Sequence, residues 1–259
     1  AWGAGIGIVG GTDVRSGVGK IRFVGKATYA GGSDSDGTME FNAWGGTVNI
    51  ESGNTSSEAV IFEGIENNSA PTIYGMWGSN DGTTITSAGG LILRANHVEV
   101  GLDLDLSVSG QIVIEPYDAG LRESSAGTSW TADFVNSNVT DGDRFRLLTP
   151  PSGIRIGSAS NSNEVILNTS FTSAGDIEVI GGSISVQSHP QIISTGASSK
   201  IVMKSRTSIQ LDNGTSGTTH ALLRTNNGDI VLWSDSDSNG TGLIYVGTHV
   251  TLDSTNDRS

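Results

Sequence analysis

The chain has 259 residues and a net charge of −13, with 37 Gly, 35 Ser and 25 Thr making up more than a third of it. Its 23 Ile and 19 Val far outnumber its 15 Leu and 3 Met, which favours strands and excludes a helical bundle or coiled coil. The acidic charge argues against a nucleic-acid partner, the lack of Cys excludes disulfides and thiol chemistry, and no apolar run is long enough for a membrane helix.

A short phrase recurs along the chain: Gly, any residue, apolar, any residue, apolar. Each copy predicts a turn followed by a short strand whose two apolar side chains share one face, with Gly expected to supply a positive φ. Together with weaker versions at 58–62, 144–147 and 153–156, the phrase predicts about twenty strands of roughly 3 to 6 residues and no helix. The nine clear copies lie at 19–23, 37–41, 46–50, 89–93, 110–114, 175–179, 182–186, 228–232 and 242–246.

Two internal offsets suggest how these strands are arranged. Residues 176–179 (DIEV) align with 200–203 (KIVM) at an offset of 24, and 184–186 (ISV) with 209–211 (IQL) at 25. Three short strands per step of this length are typical of a three-sided parallel β-helix, and equally of a fibre whose chains share sheets. A β-sandwich stays open as an alternative, although 15 aromatic residues are few for its interior. The predicted class is therefore all-β with many short strands, elongated and fibrous or β-helical, either an intertwined trimer or a solenoid.

The phrase is missing between Tyr117 and Pro151, where aromatic residues and a Pro pair gather. We therefore predict a β-rich segment at 1–116, an irregular interruption at 117–151 and a second β-rich segment at 152–259. The chain opens with Ala1 and Trp2 rather than with Met, which suggests a fragment or a processed chain.

In style, the chain resembles trimeric tail fibres and tailspikes of tailed bacteriophages. The resemblance lies in the recurring phrase, the Ser/Thr/Asn-rich turns and the missing Cys, and in segments such as 228–234 (GDIVLWS), 89–93 (GGLIL) and 98–101 (VEVG). It implies a structural, non-enzymatic virion protein, located outside the cell, which displays or contacts a host surface glycan or protein and joins other virion proteins. Secreted bacterial β-helix adhesins at the cell surface look similar, and 174–186 (AGDIEVIGGSISV) would suit them, but their repeats are usually longer and stricter. A glycan-depolymerising tailspike enzyme is the third alternative.

The apolar pairs of the recurring phrase, which would stack into columns from strand to strand, also predict how copies of the chain assemble. Ile/Val pairs on very short strands are expected not to close a core alone, so they should be buried between the chains of a homotrimer. No membrane insertion is expected.

Receptor contact is predicted where aromatics meet irregular sequence, because flat rings bring a large contact area at a small entropic cost. The candidates are Tyr74 and Trp77, beside Met76, and Tyr117 with Trp130. The alternative is that these side chains pack inside the molecule. Trp233 continues a strand phrase and is expected in the core.

One acidic loop could hold a calcium ion. Asp235, Asp237 and Asn239, followed by Gly240, match the first half of a calcium-binding loop. Val246 occupies the twelfth position, where a carboxylate is required, so an EF-hand is excluded. The alternative is an acidic hairpin turn between strands at 230–233 and 243–246. A similar loop at 33–37 ranks lower, and no other cofactor is expected.

Other chemical patterns carry little weight. The carboxylate pairs Asp103/Asp105, Glu115/Asp118 and Asp141/Asp143 could serve a glycosidase, but a solvated strand face explains them more simply. Residues 5–10 (GIGIVG) match a dinucleotide-binding phrase without the helix that it requires. The four His lack the local spacing of a zinc site.

Overall fold

The structure is a computed structural model of the whole chain. It describes residues 6–26, 39–42, 46–65, 73–75, 82–100, 104–118, 120–122, 128–136, 144–211 and 220–255. Within these ranges the chain is all-β, with strands, turns and bends and no helix.

Two sheets are built from the first part of the chain. Sheet 1 has the order β1-β4-β7-β10, with strands at Ile6–Val9, Met39–Asn42, Ile73–Gly75 and Val98–Val100. Sheet 2 has the order β14-β15-β11-β8-β5-β2, with strands at Phe134–Asn136, Phe145–Leu147, Leu104–Val108, Thr83–Ser87, Val48–Ser52 and Asp13–Ser16.

Sheet 3 runs through the whole molecule. Its order is β25-β22-β19-β16-β12-β9-β6-β3, with strands at Ile230–Trp233, Ile201–Ser205, Asp176–Gly181, Gly153–Ile156, Gln111–Glu115, Leu91–Arg94, Val60–Ile65 and Ile21–Lys26.

The later part of the chain forms two further sheets. Sheet 4 has the order β13-β17-β20-β23-β26, with strands at Ser129–Thr131, Glu164–Leu167, Ile184–Val186, Ser208–Leu211 and Leu243–Val246. Sheet 5 has the order β18-β21-β24-β27, with strands at Phe171–Ser173, Gln191–Ala197, Ala221–Asn226 and Val250–Asp253.

Every strand pairing in these sheets is parallel, and most strands pair with the strand three places on in sequence. The two offsets predicted from the sequence are the observed registers: Ile177 pairs with Ile201, and Ile184 with Ile209. All nine copies of the recurring phrase fall on strands. Parallel pairing rules out the antiparallel hairpin predicted between β25 and β26, which lie in sheets 3 and 4.

Alternating side chains on these strands point into one continuous core. In β22, Ile201 and Met203 are fully buried, and their partners on neighbouring strands extend the same apolar columns across sheet 3. One cluster of buried residues runs from Ile8 to Leu223. The expectation that these columns need neighbouring chains to be buried is therefore wrong, because stacking the strands of a single chain buries them.

The glycines of the recurring phrase serve a different purpose from the one expected. A positive φ occurs at Gly46 but not at Gly175 or Gly228. Instead, a Cβ added at Gly175 would stand 1.7 Å from the carbonyl oxygen of Ser152, and one at Gly228 would stand 1.7 Å from that of Ser199. Glycine is required there because consecutive layers of backbone approach too closely for any side chain.

The predicted interruption at 117–151 contributes three strands and a group of aromatic core residues. β13 begins sheet 4, while β14 and β15 end sheet 2. The ring of Phe134 lies 5.1 Å from that of Phe145 and 5.5 Å from that of Phe171 in β18, measured between centroids. The core therefore continues through this segment, and the predicted three-part division stays a prediction.

Candidate functional site

The outward face of sheet 3 carries a network of alternating charges. Arg94 donates to Glu63 Oε2 at 3.0 Å through Nη1 and to Glu115 Oε1 at 2.7 Å through Nε. Arg22 reaches Glu63 at 3.2 Å, and Arg155 reaches Glu115 Oε2 at 2.7 Å. The side chains of Glu63 and Glu115 are only 9% and 12% exposed, so both carboxylates are held in place by cations from two neighbouring strands.

Burial and pairing act on Arg94 in opposite directions. Burial, the largest single influence, would lower the pKa of Arg94, but the hydrogen bonds and charges of Glu115 and Glu63 together outweigh it and raise the pKa above its ordinary value. The network is thus a fixed set of ion pairs in which each carboxylate is shared between two guanidinium groups.

Three of the carboxylates considered as possible acid pairs, Asp105, Glu115 and Asp118, lie within the described residues, and all three are engaged. Asp105 accepts from Arg146 Nε at 2.6 Å and from Nη2 at 2.7 Å, in a bidentate pair between β11 and β15. Asp118 accepts from Asn96 Nδ2 at 2.5 Å and its backbone N–H donates to Asn96 Oδ1. Asp103, Asp141 and Asp143 lie outside the described residues. Oxygens of the Asp105 and Asp118 carboxylates are therefore occupied by neighbouring side chains.

Trp130 does not lie at a surface, so its prediction as a receptor-contact residue is wrong. Trp130 is 1% exposed, and its Nε1 donates to the carbonyl oxygen of Val98 at 2.8 Å. The centroid of its ring lies 6.3 Å from that of Phe145. An indole with a satisfied N–H inside the core is a packing element that joins β13 to the end of sheet 1.

The other predicted contact residues have different outcomes. Tyr117 is 39% exposed and stays a candidate. Trp77 lies outside the described residues, and of Tyr74 the structure describes the strand position in β7 but not the side chain. Trp233 was expected in the core, yet it is 51% exposed, because it points outward from the last strand of sheet 3.

The predicted calcium loop is an ordinary corner between β25 and β26. Asp235 Oδ1 accepts from the Gly240 N–H at 2.9 Å, Asp237 Oδ2 accepts from Asn239 Nδ2 at 3.0 Å, and Asn239 Oδ1 accepts from Thr241. These oxygens stabilise the loop itself. Among the described residues, no group of three or more His, Cys, Asp or Glu could hold a metal ion, and calcium binding here stays an untested prediction.

The phrase at 5–10 (GIGIVG) has no dinucleotide-binding context. β1 and β2 flank the turn that follows it, and no helix begins within the described residues 6–26.

Three histidines that look scattered in sequence come together. His220 and His249 directly precede β24 and β27, and His189 lies just before β21. The centroid of the His249 ring lies 5.4 Å from that of His220 and 6.3 Å from that of His189. Their separations of 31 and 29 residues are close to one repeat of the strand pattern. Metal-site motifs, whose histidines lie a few residues apart, do not detect this group. A comparison of sequence positions about 30 residues apart would detect it.

A polar groove of about 210 Å³ opens on sheet 5, between β21, β24 and β27. Arg224 and Asp253 are register partners on its wall. Asn226 donates through Nδ2 to the Thr195 carbonyl oxygen at 3.1 Å, which fixes its amide and leaves Oδ1 buried without a partner. A guanidinium and a carboxylate on one wall of a polar groove suit a ligand whose groups both donate and accept hydrogen bonds. Sequence reasoning did not identify this groove.

No family model, no curated protein and no solved structure matches this chain. No helix within the described part of the chain is long and apolar enough to cross a membrane.

Proposed function

We propose that the chain winds as a single-chain parallel β-helix with three faces. Sheet 3 forms one face. Sheets 1 and 4 form the second, linked where Trp130 in β13 donates to Val98 in β10, and sheets 2 and 5 form the third, linked by the contact of Phe134 with Phe171. In this arrangement, the consecutive strands β14 and β15 lie side by side in the third face, so this turn of the chain contributes one strand more than the others. Eight strands spaced about 4.8 Å apart give a rod section of about 34 Å along the stacking direction.

On this scaffold we propose a structural and adhesive function, as a fibre subunit of a phage virion that displays or contacts a host surface receptor. The observation that carries the proposal is the use of the strands: their inward side chains pack into one core. The carboxylates of Asp105, Glu115 and Asp118 form ion pairs and hydrogen bonds with neighbouring side chains. The candidate carboxylates that the structure describes are therefore engaged with neighbouring side chains.

Receptor contact would use the outward groups that remain. Tyr117 and Trp233 supply exposed rings, and the groove at Arg224 and Asn226 supplies hydrogen-bonding groups suited to the hydroxyls of a sugar. The proposed partner is therefore a glycan on a bacterial surface.

A secreted bacterial adhesin is the second candidate, and one observation favours it: the core closes within a single chain. The two candidates differ in assembly, because the virion fibre is proposed to be a homotrimer. Light scattering separates them. A particle of three times 26.7 kDa supports the fibre, and a particle of 26.7 kDa supports the single-chain adhesin.

The adhesive function is tested by incubating the fluorescently labelled chain with a panel of bacterial cells, before and after periodate oxidation of their surface glycans. We expect binding that periodate abolishes and that Trp233→Ala or Asn226→Ala weakens. Release of oligosaccharides from surface polysaccharide by the wild-type chain, and its loss in Asp105→Asn, would instead establish the enzyme alternative.

A further inference from the structure

One arginine of the described chain lacks the partner that the others have. Within the described ranges, Arg224 forms no hydrogen bond and no ion pair, whereas every other arginine there engages a partner. Its side chain is half-buried rather than fully exposed. Because a guanidinium carries a permanent charge and several N–H donors, those of Arg224 are available to a ligand.

Arg224 stands on an inner strand, so its setting does not depend on where the row of strands ends. β24 pairs with β21 on one side and with β27 on the other. Every second residue of β24 is buried, beginning with Ala221, so Arg224 and Asn226 point outward. The guanidinium therefore belongs to the outer face of sheet 5, on the wall of the polar groove of about 210 Å³.

The hydroxyl groups of the groove wall use their hydrogens within the chain. Four of them donate to oxygens of the same chain: Ser194 to the Gly175 carbonyl at 2.6 Å, Thr225 to that of Gly228 at 2.7 Å, Thr195 to that of Ser173 at 3.1 Å, and Thr255 to Asp253 Oδ1 at 2.7 Å. A hydroxyl that donates its hydrogen still has an oxygen that can accept. The groove therefore offers acceptor oxygens beside the donors of Arg224.

These groups match a sugar that carries a negative charge. Arginine binds a carboxylate or a phosphate through parallel N–H···O bonds, and the acceptor oxygens suit sugar hydroxyls. Ile193, the register partner of Arg224 in β21, adds apolar surface for the C–H face of a sugar ring. The groove is smaller than the range of about 300–1,000 Å³ typical of drug-sized ligands, so it suits one sugar unit.

We propose that this groove binds a sugar unit bearing an oxyanion, and that Arg224 recognises the charged group. The inference rests on the proposed glycan-binding function and names the class of sugar at this groove. The net charge of −13 repels anions at long range. At physiological ionic strength, however, screening limits that repulsion to about 8 Å, so the contact with Arg224 decides the binding.

Nuclear magnetic resonance of the isotope-labelled chain tests the proposal, with the Arg224 Nε–H signal assigned by its loss in Arg224→Gln. The probes are three sugar acids, glucuronate, galacturonate and N-acetylneuraminate, with glucose and galactose as neutral counterparts. We expect at least one sugar acid to shift the Arg224 signal at concentrations where the neutral sugars leave it unchanged. Glucose monophosphate identifies the oxyanion, because tighter binding of this probe would assign a phosphate rather than a carboxylate to the sugar.

The backbone signals of Thr195 and Asn226 then measure the contribution of Arg224. Arg224→Gln should bind the same sugar at least about tenfold more weakly, because it loses hydrogen bonds between charged groups. Arg206→Gln is the matched control, since Arg206 lies outside the groove wall and donates to the Ala159 carbonyl oxygen at 2.5 Å. This control should bind as the wild type does. Far-ultraviolet circular dichroism checks that both variants fold, and the wild-type titration decides if Arg224→Gln does not.

Three results would overturn the proposal. The first is the absence of a shift with every sugar acid and with glucose monophosphate. The second is a shift of equal size with acetate or inorganic phosphate, which would indicate an adventitious ion only. The third is unchanged sugar binding by Arg224→Gln. Each leaves the proposed adhesive function intact, because cell binding that periodate abolishes would then use Tyr117 or Trp233. Absence of cell binding beside a shift with a sugar acid would contradict the adhesive function alone.

Discussion

Arg94 Nη1 lies 3.0 Å from Glu63 Oε2 across the boundary between β6 and β9. The pair belongs to a network in which the next strand supplies Glu115 and the one after that supplies Arg155. Beside it on the same outward face lie Ile61, Ile92 and Val113, which form a small buried cluster separate from the core. The network is therefore packed against apolar side chains, and its ion pairs are partly shielded from water.

This shielding gives the first prediction. Arg94→Ala leaves Glu63 and Glu115, both almost buried, without their shared cation, so we expect a loss of about 2 kcal/mol in the free energy of unfolding. Lys20→Ala removes an ion pair with Glu58 that is half exposed on both sides, and should cost clearly less, because water screens the pair. Urea unfolding of the two variants measures the difference, and equal losses would contradict the shielded network.

Much of the fold follows from the sequence because the strand pattern is local. Alternation of apolar residues locates strands such as β19 and β22, and the offset of 24 residues fixes their register. Parallel pairing joins strands that are distant in sequence, so the local pattern does not reveal it. For this reason an antiparallel hairpin was one of the two interpretations of the loop at Asp235, although β25 and β26 lie in different sheets. The pairing of the consecutive strands β14 and β15 has no repeat in the sequence to indicate it.

The site residues were harder to predict, because burial depends on neighbours that are distant in sequence. Trp130 lies in sequence that lacks the strand phrase and Trp233 continues a copy of it, yet the first is enclosed by Phe145 and Val98 and the second points outward from an edge strand. The partners of Asp105 and Asn226 lie about 30 to 40 residues away, so only the pairing register brings them together.

Close backbone contact at the phrase glycines gives the second prediction. Gly228→Ala places a methyl group 1.7 Å from the Ser199 carbonyl oxygen, so the layers must separate, at a cost of about 1–3 kcal/mol. Gly7→Ala is the matched control, because nothing lies within 4 Å of its added Cβ. Thermal unfolding should show a lower Tm for Gly228→Ala alone.

The buried indole gives the third prediction. Trp130→Ala should cost about 3–5 kcal/mol through the cavity it leaves, and Trp130→Phe about 1–3 kcal/mol because the Val98 carbonyl loses its donor. Trp233→Ala removes an exposed ring and should change stability by no more than about 0.5 kcal/mol. Unchanged stability of Trp130→Ala, measured by urea unfolding, would return this residue to the list of contact candidates.

The pair of Lys20 and Glu58 gives the last prediction, which concerns pH. The hydrogen bond from Lys20, and then its charge, lower the pKa of Glu58 below its ordinary value of 4.5. A carboxyl group whose pKa is lower in the folded state stabilises the fold at pH values above 4.5, and that contribution is lost as the pH falls through the lowered value. Glu58→Gln keeps the shape of the side chain and removes the charge. We therefore expect the wild type to be slightly more stable than Glu58→Gln at neutral pH and indistinguishable from it at an acid pH below the lowered pKa of Glu58. The measurement is urea unfolding of both chains at the two pH values, with Glu164→Gln as a control outside the pair. A difference that persists unchanged in acid would mean that Glu58 acts through packing rather than through its charge.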